Sequence, residues 1–247
     1  MIEVKLSQKA NLKGFTLIEG FPGAGLVGPM AISYIVEKLG MKYIGRIDSD
    51  GFPPLVAIHN NKPMAPIRVY MDEKGKFVTV IAEFAIPLDL TYEMSRTLYD
   101  FIAASGISKI VSIGGVPIGL HGPQQDGVFA ITSTDDLRKD VQKAGLKPIG
   151  EGVATGISAL LLLNAVTNGL PDVNILVPVD PNILDPKYAE TAIINLNKLI
   201  KLGVNVNELD KEAKDVENKI RDLLKKNREV QDAHKKAIDA AGPPTYA

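Results

Sequence analysis

Residues 23–28, Gly-Ala-Gly-Leu-Val-Gly, have the G-x-G-x-x-G spacing of a phosphate-binding loop. A predicted strand precedes them and a predicted helix follows. In dinucleotide-binding proteins such glycines let the backbone approach a pyrophosphate, and an acid at the end of the next strand binds the ribose. Asp48 and Asp50 stand at about that distance along the chain. The pattern therefore supports one hypothesis, a nucleotide- or nucleoside-binding enzyme that uses this loop.

The same glycines also have a structural explanation, which we favour. Pro22 precedes the first of them, and Gly20-Phe21-Pro22-Gly23 is typical of a tight apolar turn. Glycines at a strand–helix corner let the helix pack closely on the strand. The loop lacks the G-K-[S/T] of a Walker A site, and the antiparallel run predicted after residue 50 is not the second βα unit of a dinucleotide fold. We therefore expect no bound cofactor.

Few other residues are suited to acid–base catalysis. His121 lies in a turn-rich loop after a predicted central strand, where α/β proteins place ligands, and Glu83 or Asp126 is a candidate partner. No G-x-S-x-G nucleophile motif accompanies them, and the chain has no cysteine. We therefore expect neither a catalytic nor a metal site, and not an enzyme. Three charged residues on one face of a helix predicted over 88–105 are expected to form surface: Asp89, Glu93 and Arg96.

The last six residues, Gly242-Pro243-Pro244-Thr245-Tyr246-Ala247, have the chemistry of a docking peptide. Gly242 stops a preceding helix, and the two prolines favour a stiff extended spacer. Ordering a stiff spacer costs less entropy than ordering a flexible one. Tyr246 offers a large contact area with a polar end, and a terminal carboxylate can be bound by a lysine or by backbone amides.

A charged arm without glycine or proline, residues 208–240, precedes this tail. Apolar or small residues recur along it in alternating steps of four and three, which is typical of a helix that packs along a partner helix. We expect self-association through this arm, with docking on its own domain as the alternative. The seam positions are Leu209, Ala213, Val216, Ile220, Leu223, Asn227, Val230, His234, Ala237 and Ala241.

Composition limits the class of protein. The chain has 247 residues, of which 45% are hydrophobic and 23% charged, enough for a folded domain with its own core. Twenty-eight basic and 29 acidic residues give a net charge of −1, which argues against a nucleic-acid binder held by phosphate neutralisation. The longest apolar stretch, residues 157–166, is too short to span a bilayer, and the first residues lack the order of a signal peptide. We expect a soluble, intracellular protein of the cytoplasm.

Between residues 12 and 202 the patterns alternate between strand and helix. This predicts an α/β fold, a mixed, mainly parallel sheet with helices on both faces, followed by a long C-terminal helix. The helix predicted over 157–167 is apolar all round and is expected to be buried. We divide the chain into an α/β domain (1–203), a helical arm (204–241) and an extended tail (242–247). Further helices are expected over 24–39, 88–105, 135–144 and 187–202, and strands over 15–18, 43–47, 55–59, 66–71, 76–84, 109–113 and 173–179.

Residues 20–28, Gly-Phe-Pro-Gly-Ala-Gly-Leu-Val-Gly, resemble the first signature of the proteasome assembly chaperone superfamily. Glu83-Phe84, Ile113-Gly114-Gly115 and residues 152–161 agree with it. The resemblance covers residues 12–202, and the layout with a long charged C-terminal helix is most similar to the archaeal homologues of the PbaB type. It implies a fold like that of purine nucleoside phosphorylases, without their catalytic function.

The resemblance also implies partners. It implies a homo-oligomer, expected to be tetrameric, that binds the α-ring of the 20S proteasome as an assembly chaperone or an ATP-independent activator. Docking tails of this kind have a hydrophobic residue, a tyrosine, any residue and then the free carboxylate. Tyr246 would be the tyrosine and Ala247 the terminal residue, and Pro243 and Pro244 would form the spacer. Thr245 stands where a hydrophobic residue is usual.

Overall fold

The computed structural model describes residues 1–59, 61–118, 127–181 and 183–206, which form eleven strands and five α-helices. The strands are β1 (Glu3–Leu6), β2 (Thr16–Gly20), β3 (Lys42–Asp48), β4 (Ala57–His59), β5 (Lys62–Met64), β6 (Ile67–Asp72), β7 (Phe77–Ala82), β8 (Lys109–Pro117), β9 (Phe129–Thr132), β10 (Lys147–Pro148) and β11 (Asp172–Val179). The helices are α1 (Val27–Lys38), α2 (Thr91–Ser105), α3 (Asp135–Lys143), α4 (Ile157–Asn168) and α5 (Pro186–Ile200).

Nine strands form one mixed sheet in the order β1-β3-β6-β7-β2-β8-β11-β9-β10. The four central strands, β7, β2, β8 and β11, run parallel to one another. Their neighbours β6 and β9 are antiparallel to them, and β4 pairs with β5 in a separate two-stranded sheet. The central strands are apolar along most of their length because both faces of a parallel sheet are covered.

Helices cover the sheet on both faces. Helices α1 and α5 pack over the core that contains Ile18, whereas α2 and α4 pack over the core that contains Leu17. The two neighbouring residues reach different cores because successive side chains of a strand point to opposite faces. The predicted α/β class is confirmed. Among the described residues, no helix combines the length and apolar character needed to cross a membrane.

Local chemistry explains where several helices begin and end. The Thr134 hydroxyl accepts a hydrogen bond from the Leu137 amide at 3.3 Å and caps α3. Gly106, with a φ of 67°, ends α2. The single helix predicted over 24–39 is wrong at its start: a 3-10 turn at Ala24–Leu26 precedes α1, and Leu26 has a φ of 52°.

The prediction that the helix over 157–167 is buried is wrong for one of its faces. Leu161 in α4 is fully buried, but Leu163 is 61% exposed and Val166 is 54% exposed. The helix lies on the outside of the second core, so only one of its sides meets the sheet and α2. An apolar composition on every side therefore does not guarantee burial on every side.

The described chain ends firmly attached to the body. The Asn197 side chain donates to the Val204 carbonyl at 2.7 Å and accepts from its amide at 3.1 Å. The Tyr34 hydroxyl of α1 donates to the Asn205 carbonyl at 2.9 Å. The predicted arm beyond residue 206, its seam and the tail 242–247 lie outside the described residues, as do His121 and Asp126.

Candidate functional site

The carboxyl ends of the four central strands are the natural place to look for a site in an α/β protein. The glycine-rich loop lies there, between the end of β2 and the start of α1. A Cβ on Gly20 would stand 2.5 Å from the Gly28 carbonyl oxygen, and one on Gly28 would stand 2.7 Å from the Ile113 carbonyl oxygen. Gly25 has a φ of +64° and faces Val179. These glycines allow close packing of helix on strand, as the structural explanation predicts.

The structure does not bring the two predicted ribose-binding acids to this loop. Asp48 lies at the end of β3, which is separated from β2 by β6 and β7. Its carboxylate pairs with Lys5 and Arg46, each at 3.3 Å. Asp50 is exposed in the loop that follows. The dinucleotide arrangement suggested by the spacing is therefore absent from the described residues.

Glu83, just after β7, is the centre of a polar cluster at this edge. Its Oε1 accepts a hydrogen bond from Arg68 at 2.5 Å and lies 2.6 Å from His59 Nε2. Arg68 also donates to the Tyr70 hydroxyl at 2.8 Å and to the Ala65 carbonyl at 2.9 Å. The Glu83 and Arg68 side chains are almost fully buried, whereas that of His59 is 30% exposed.

Burial alone would raise the pKa of Glu83, but the hydrogen bonds from His59 and Arg68, with the Arg68 charge, outweigh burial and lower that pKa. Glu83 is thus held as a carboxylate with fixed partners, which suits a structural ion pair between β6 and β7. The predicted pairing of Glu83 with His121 is not tested, because His121 lies outside the described residues. His59 and Arg68 were not predicted as partners of Glu83, because no motif links a histidine and an arginine 24 and 15 residues before an acid.

A second polar cluster lies beneath the start of α4. The Glu19 side chain, fully buried on β2, accepts a hydrogen bond from the Ser158 hydroxyl at 2.5 Å and from the Phe21 amide at 3.2 Å. Strand register places Ser112 on β8 beside Glu19, and Asn174 on β11 beside Ser112. The Asn174 side chain donates to the Ser158 carbonyl at 3.3 Å. Burial raises the pKa of Glu19 despite these hydrogen bonds.

Asp172, at the start of β11, is the least satisfied group in this region. It is fully buried, and neither of its carboxyl oxygens has a hydrogen-bond partner among the described residues. Burial, reinforced by the negative charge of Glu19, raises the pKa of Asp172 to about 8. Asp172 is therefore mostly protonated at neutral pH. No sequence pattern indicates this protonation, because Asp172 looks like an ordinary acid at a strand boundary.

The remaining charged residues predicted from the sequence lie on the surface of α2 and of the turn before it. Glu93 accepts a hydrogen bond from the Ile2 amide at 2.7 Å and so attaches the N-terminus to α2. Arg96 and Asp89 are exposed. In the described part of the chain, no group of three or more histidine, aspartate or glutamate side chains could hold a metal ion.

The comparisons with known proteins agree on one family. Residues 17–224 match the PAC2 family. The chain is 28% identical over 235 residues to the uncharacterized protein MJ0106 of Methanocaldococcus jannaschii, covering 94% of this chain and 96% of that one.

Two solved structures from Pyrococcus furiosus show the same fold. PbaA, described as an archaeal homologue of the proteasome-assembly chaperone, is 28% identical, with a TM-score of 0.80 over 94% of this chain and 99% of PbaA. PbaB, described as an archaeal proteasome activator, is 21% identical, with a TM-score of 0.72 over 90% of this chain and 98% of PbaB. The likeness to PbaB concerns the fold alone. The chain belongs to the PAC2 family and is a member of the proteasome assembly chaperone superfamily.

Proposed function

We propose that this protein binds the α-ring of the 20S proteasome through its C-terminal tail, independently of ATP, and acts as an assembly chaperone, as an activator, or as both. The observation on which the proposal rests is family membership over residues 17–224, together with 28% identity to PbaA over nearly the whole of both chains. Within the proposal, the α/β body serves as a scaffold in the cytoplasm and catalyses no reaction.

The chemistry of the tail supports the choice of docking element. Tyr246 would insert its ring between neighbouring α-subunits, and the Ala247 carboxylate would pair with a basic group there. Pro243 and Pro244 would limit the entropy lost when the tail is ordered. Thr245, a small polar residue in a usually hydrophobic position, weakens each contact without altering its geometry.

One tail contact of three residues is weak, so the proposal includes a homo-oligomer, expected to be a tetramer. Several tails on one scaffold gain avidity of about 10²–10⁴ when geometry permits them to bind together. Activation requires a further condition. The tail must bind the open state of the α-ring more tightly than the closed state, since a ligand shifts a conformational equilibrium only by its difference in affinity.

The geometry of the glycine-rich loop favours this proposal over a nucleotide enzyme. Gly20, Gly25 and Gly28 are all used in close contacts between β2, α1 and the strands beside them, and Asp48 is paired elsewhere. A nucleotide-binding protein would show saturable binding of ATP or NAD by calorimetry, and we expect none.

The test is a pull-down with the mature 20S proteasome and, separately, with free α-subunits of the same organism. We compare the full chain with a chain that ends at Pro244 and with Tyr246→Ala, and expect both changes to abolish binding while native mass stays unchanged. Thr245→Leu restores the usual hydrophobic residue and is expected to strengthen binding.

The outcomes separate the parts of the proposal. Binding to α-subunits alone indicates an assembly chaperone, and binding to the mature particle indicates an activator or adaptor. Equal binding by the full and the truncated chain would refute the tail as the docking element. Failure of the full chain to bind either form would refute the proteasome as the partner.

A further inference from the structure

A groove of about 690 Å³ lies between α3 and α5, where the first residues of β8 and β11 form its base. We call it the α3–α5 groove. Its floor is apolar and includes Val111, Leu137, Val141, Val173 and Leu199. An apolar groove between two helices is a shape that accepts the apolar side of a third helix.

The rim of this groove is mainly basic. Lys109, Lys143 and Lys198 line it, and Asp140 is the single acid among its lining residues. Asp140 lies 3.9 Å from Lys143 and neutralises part of that charge. The groove therefore suits a helix with an apolar stripe flanked by carboxylates.

The C-terminal arm contains a segment of that chemistry. Residues 208–217 have five acids and two lysines, a net charge of −3, and include the seam residues Leu209, Ala213 and Val216. The next stretch, residues 218–228, has five basic residues and one acid, a net charge of +4. Only the first of these stretches is complementary to the lysine rim.

The position at which the chain leaves the α/β body favours the arm of a second copy, rather than the chain's own arm, as the occupant of the groove. Helix α1 packs over β2 and β7, α5 over β11, and α3 over β9 and β10, so α5 lies between α1 and α3. Asn205 is held against α1 by Tyr34, on the side of α5 away from the groove. The four steps from Asn205 to Leu209 span at most about 14 Å, and packed helix axes lie about 8–10 Å apart. The chain's own Leu209 would therefore have to cross α5 in a nearly fully extended conformation.

We propose that residues 208–217 of one copy bind in the α3–α5 groove of a second copy, as an amphipathic helix whose carboxylates face the three lysines. This contact goes beyond the proposed function, because it concerns how copies assemble and does not depend on any proteasome.

The test uses two charge-reversed variants of the full chain. The groove variant is Lys109→Glu, Lys143→Glu and Lys198→Glu together, and the arm variant is Glu208→Lys, Glu212→Lys and Asp215→Lys together. A matched control reverses three exposed lysines elsewhere: Lys42→Glu, Lys62→Glu and Lys74→Glu. Self-association is measured by analytical ultracentrifugation, and circular dichroism checks that each variant is folded.

Each variant alone is expected to self-associate at least tenfold more weakly, and the control is expected to match the parent. Mixing the two variants restores complementary pairs in both directions, so the mixture is expected to recover association. A groove variant that associates like the parent would overturn the proposal. A mixture that stays dissociated would contradict the binding of one copy's arm in the groove of another copy. It would indicate instead that the arm docks on its own chain. Proteasome binding is not measured, so these results are independent of the tail.

Discussion

Gly20 and Gly28 approach each other so closely that neither position has room for a side chain. A Cβ on Gly20 would stand 2.5 Å from the Gly28 carbonyl oxygen, and a Cβ on Gly28 would stand 2.8 Å from the Gly20 Cα. The atoms that would be struck belong to the backbone and cannot rotate away. The close approach of β2 and α1 therefore depends on glycine at both positions.

The first prediction concerns this contact. Gly20→Ala is expected to lower the free energy of unfolding by about 1–3 kcal/mol, since it overpacks a fixed corner. Gly23→Ala is the matched control, because no atom lies within 4 Å of a Cβ at that position and its φ is −151°. Urea unfolding of the two variants measures the difference. Equal stability of Gly20→Ala and the parent would contradict the packing role.

The second prediction concerns Asp172 and pH. Between about pH 4 and pH 8 the unfolded chain loses the Asp172 proton while the folded chain keeps it, so the free energy of unfolding falls as pH rises. Asp172→Asn removes this titration and keeps the shape. We expect the variant to be more stable than the parent by a few kcal/mol at pH 9, and the gain to shrink toward pH 4.

Urea unfolding at pH 5, 7 and 9 checks this, with Asp100→Asn, an exposed aspartate of α2, as the control. The control should follow the parent at every pH. A constant difference between Asp172→Asn and the parent across this range would show that Asp172 has an ordinary pKa in the folded protein.

The third prediction concerns the ion pair between Glu83 and Arg68. Glu83→Gln leaves the Arg68 guanidinium buried without its counter-charge, and such a loss costs about 3–5 kcal/mol. The lowered pKa of Glu83 means that its contribution is present above about pH 4.5 and is lost as pH falls through the folded value. The loss in free energy of unfolding caused by Glu83→Gln should therefore be largest at pH 7 and smaller at pH 3. Chemical denaturation at both pH values measures it, and Glu3→Gln, an exposed change, should have little effect.

The fourth prediction contrasts two leucines of α4. Leu161→Ala removes a fully buried side chain and is expected to cost about 2–5 kcal/mol. Leu163 is 61% exposed, so Leu163→Ala is expected to change stability by less than about 1 kcal/mol. Thermal unfolding of both variants measures the contrast. Comparable losses of stability for Leu161→Ala and Leu163→Ala would mean that the outer side of α4 is covered in solution.

Periodicity predicted the parts of the fold in which local pattern and burial agree. The spacing of Leu90, Met94 and Leu98 predicts α2, and Gly106 ends that helix where expected. The apolar run after Lys109 predicts β8, which extends to Pro117. Short edge strands were missed: β1 and β10 contain four and two residues, too few to show a period.

The polar clusters were not predicted, because tertiary pairing creates them. Glu19 and Ser158 are 139 residues apart in sequence and 2.5 Å apart at their side-chain oxygens. The sequence allowed two interpretations of the glycine-rich loop, close helix–strand packing and phosphate binding. The glycine spacing alone could not decide between them, because both require positions without side chains. The contacts of Gly20 and Gly28, together with the pairing of Asp48 away from the loop, distinguish these interpretations.

The hydrogen bonds that hold Val204 and Asn205 have a consequence for how binding events combine. They hold Val204 and Asn205 on the side of the sheet that α1 and α5 cover, whereas the exposed Leu163 and Val166 of α4 lie on the opposite side. A protein that packs on the outer side of α4 would therefore leave Val204, Asn205 and their hydrogen-bond partners uncovered.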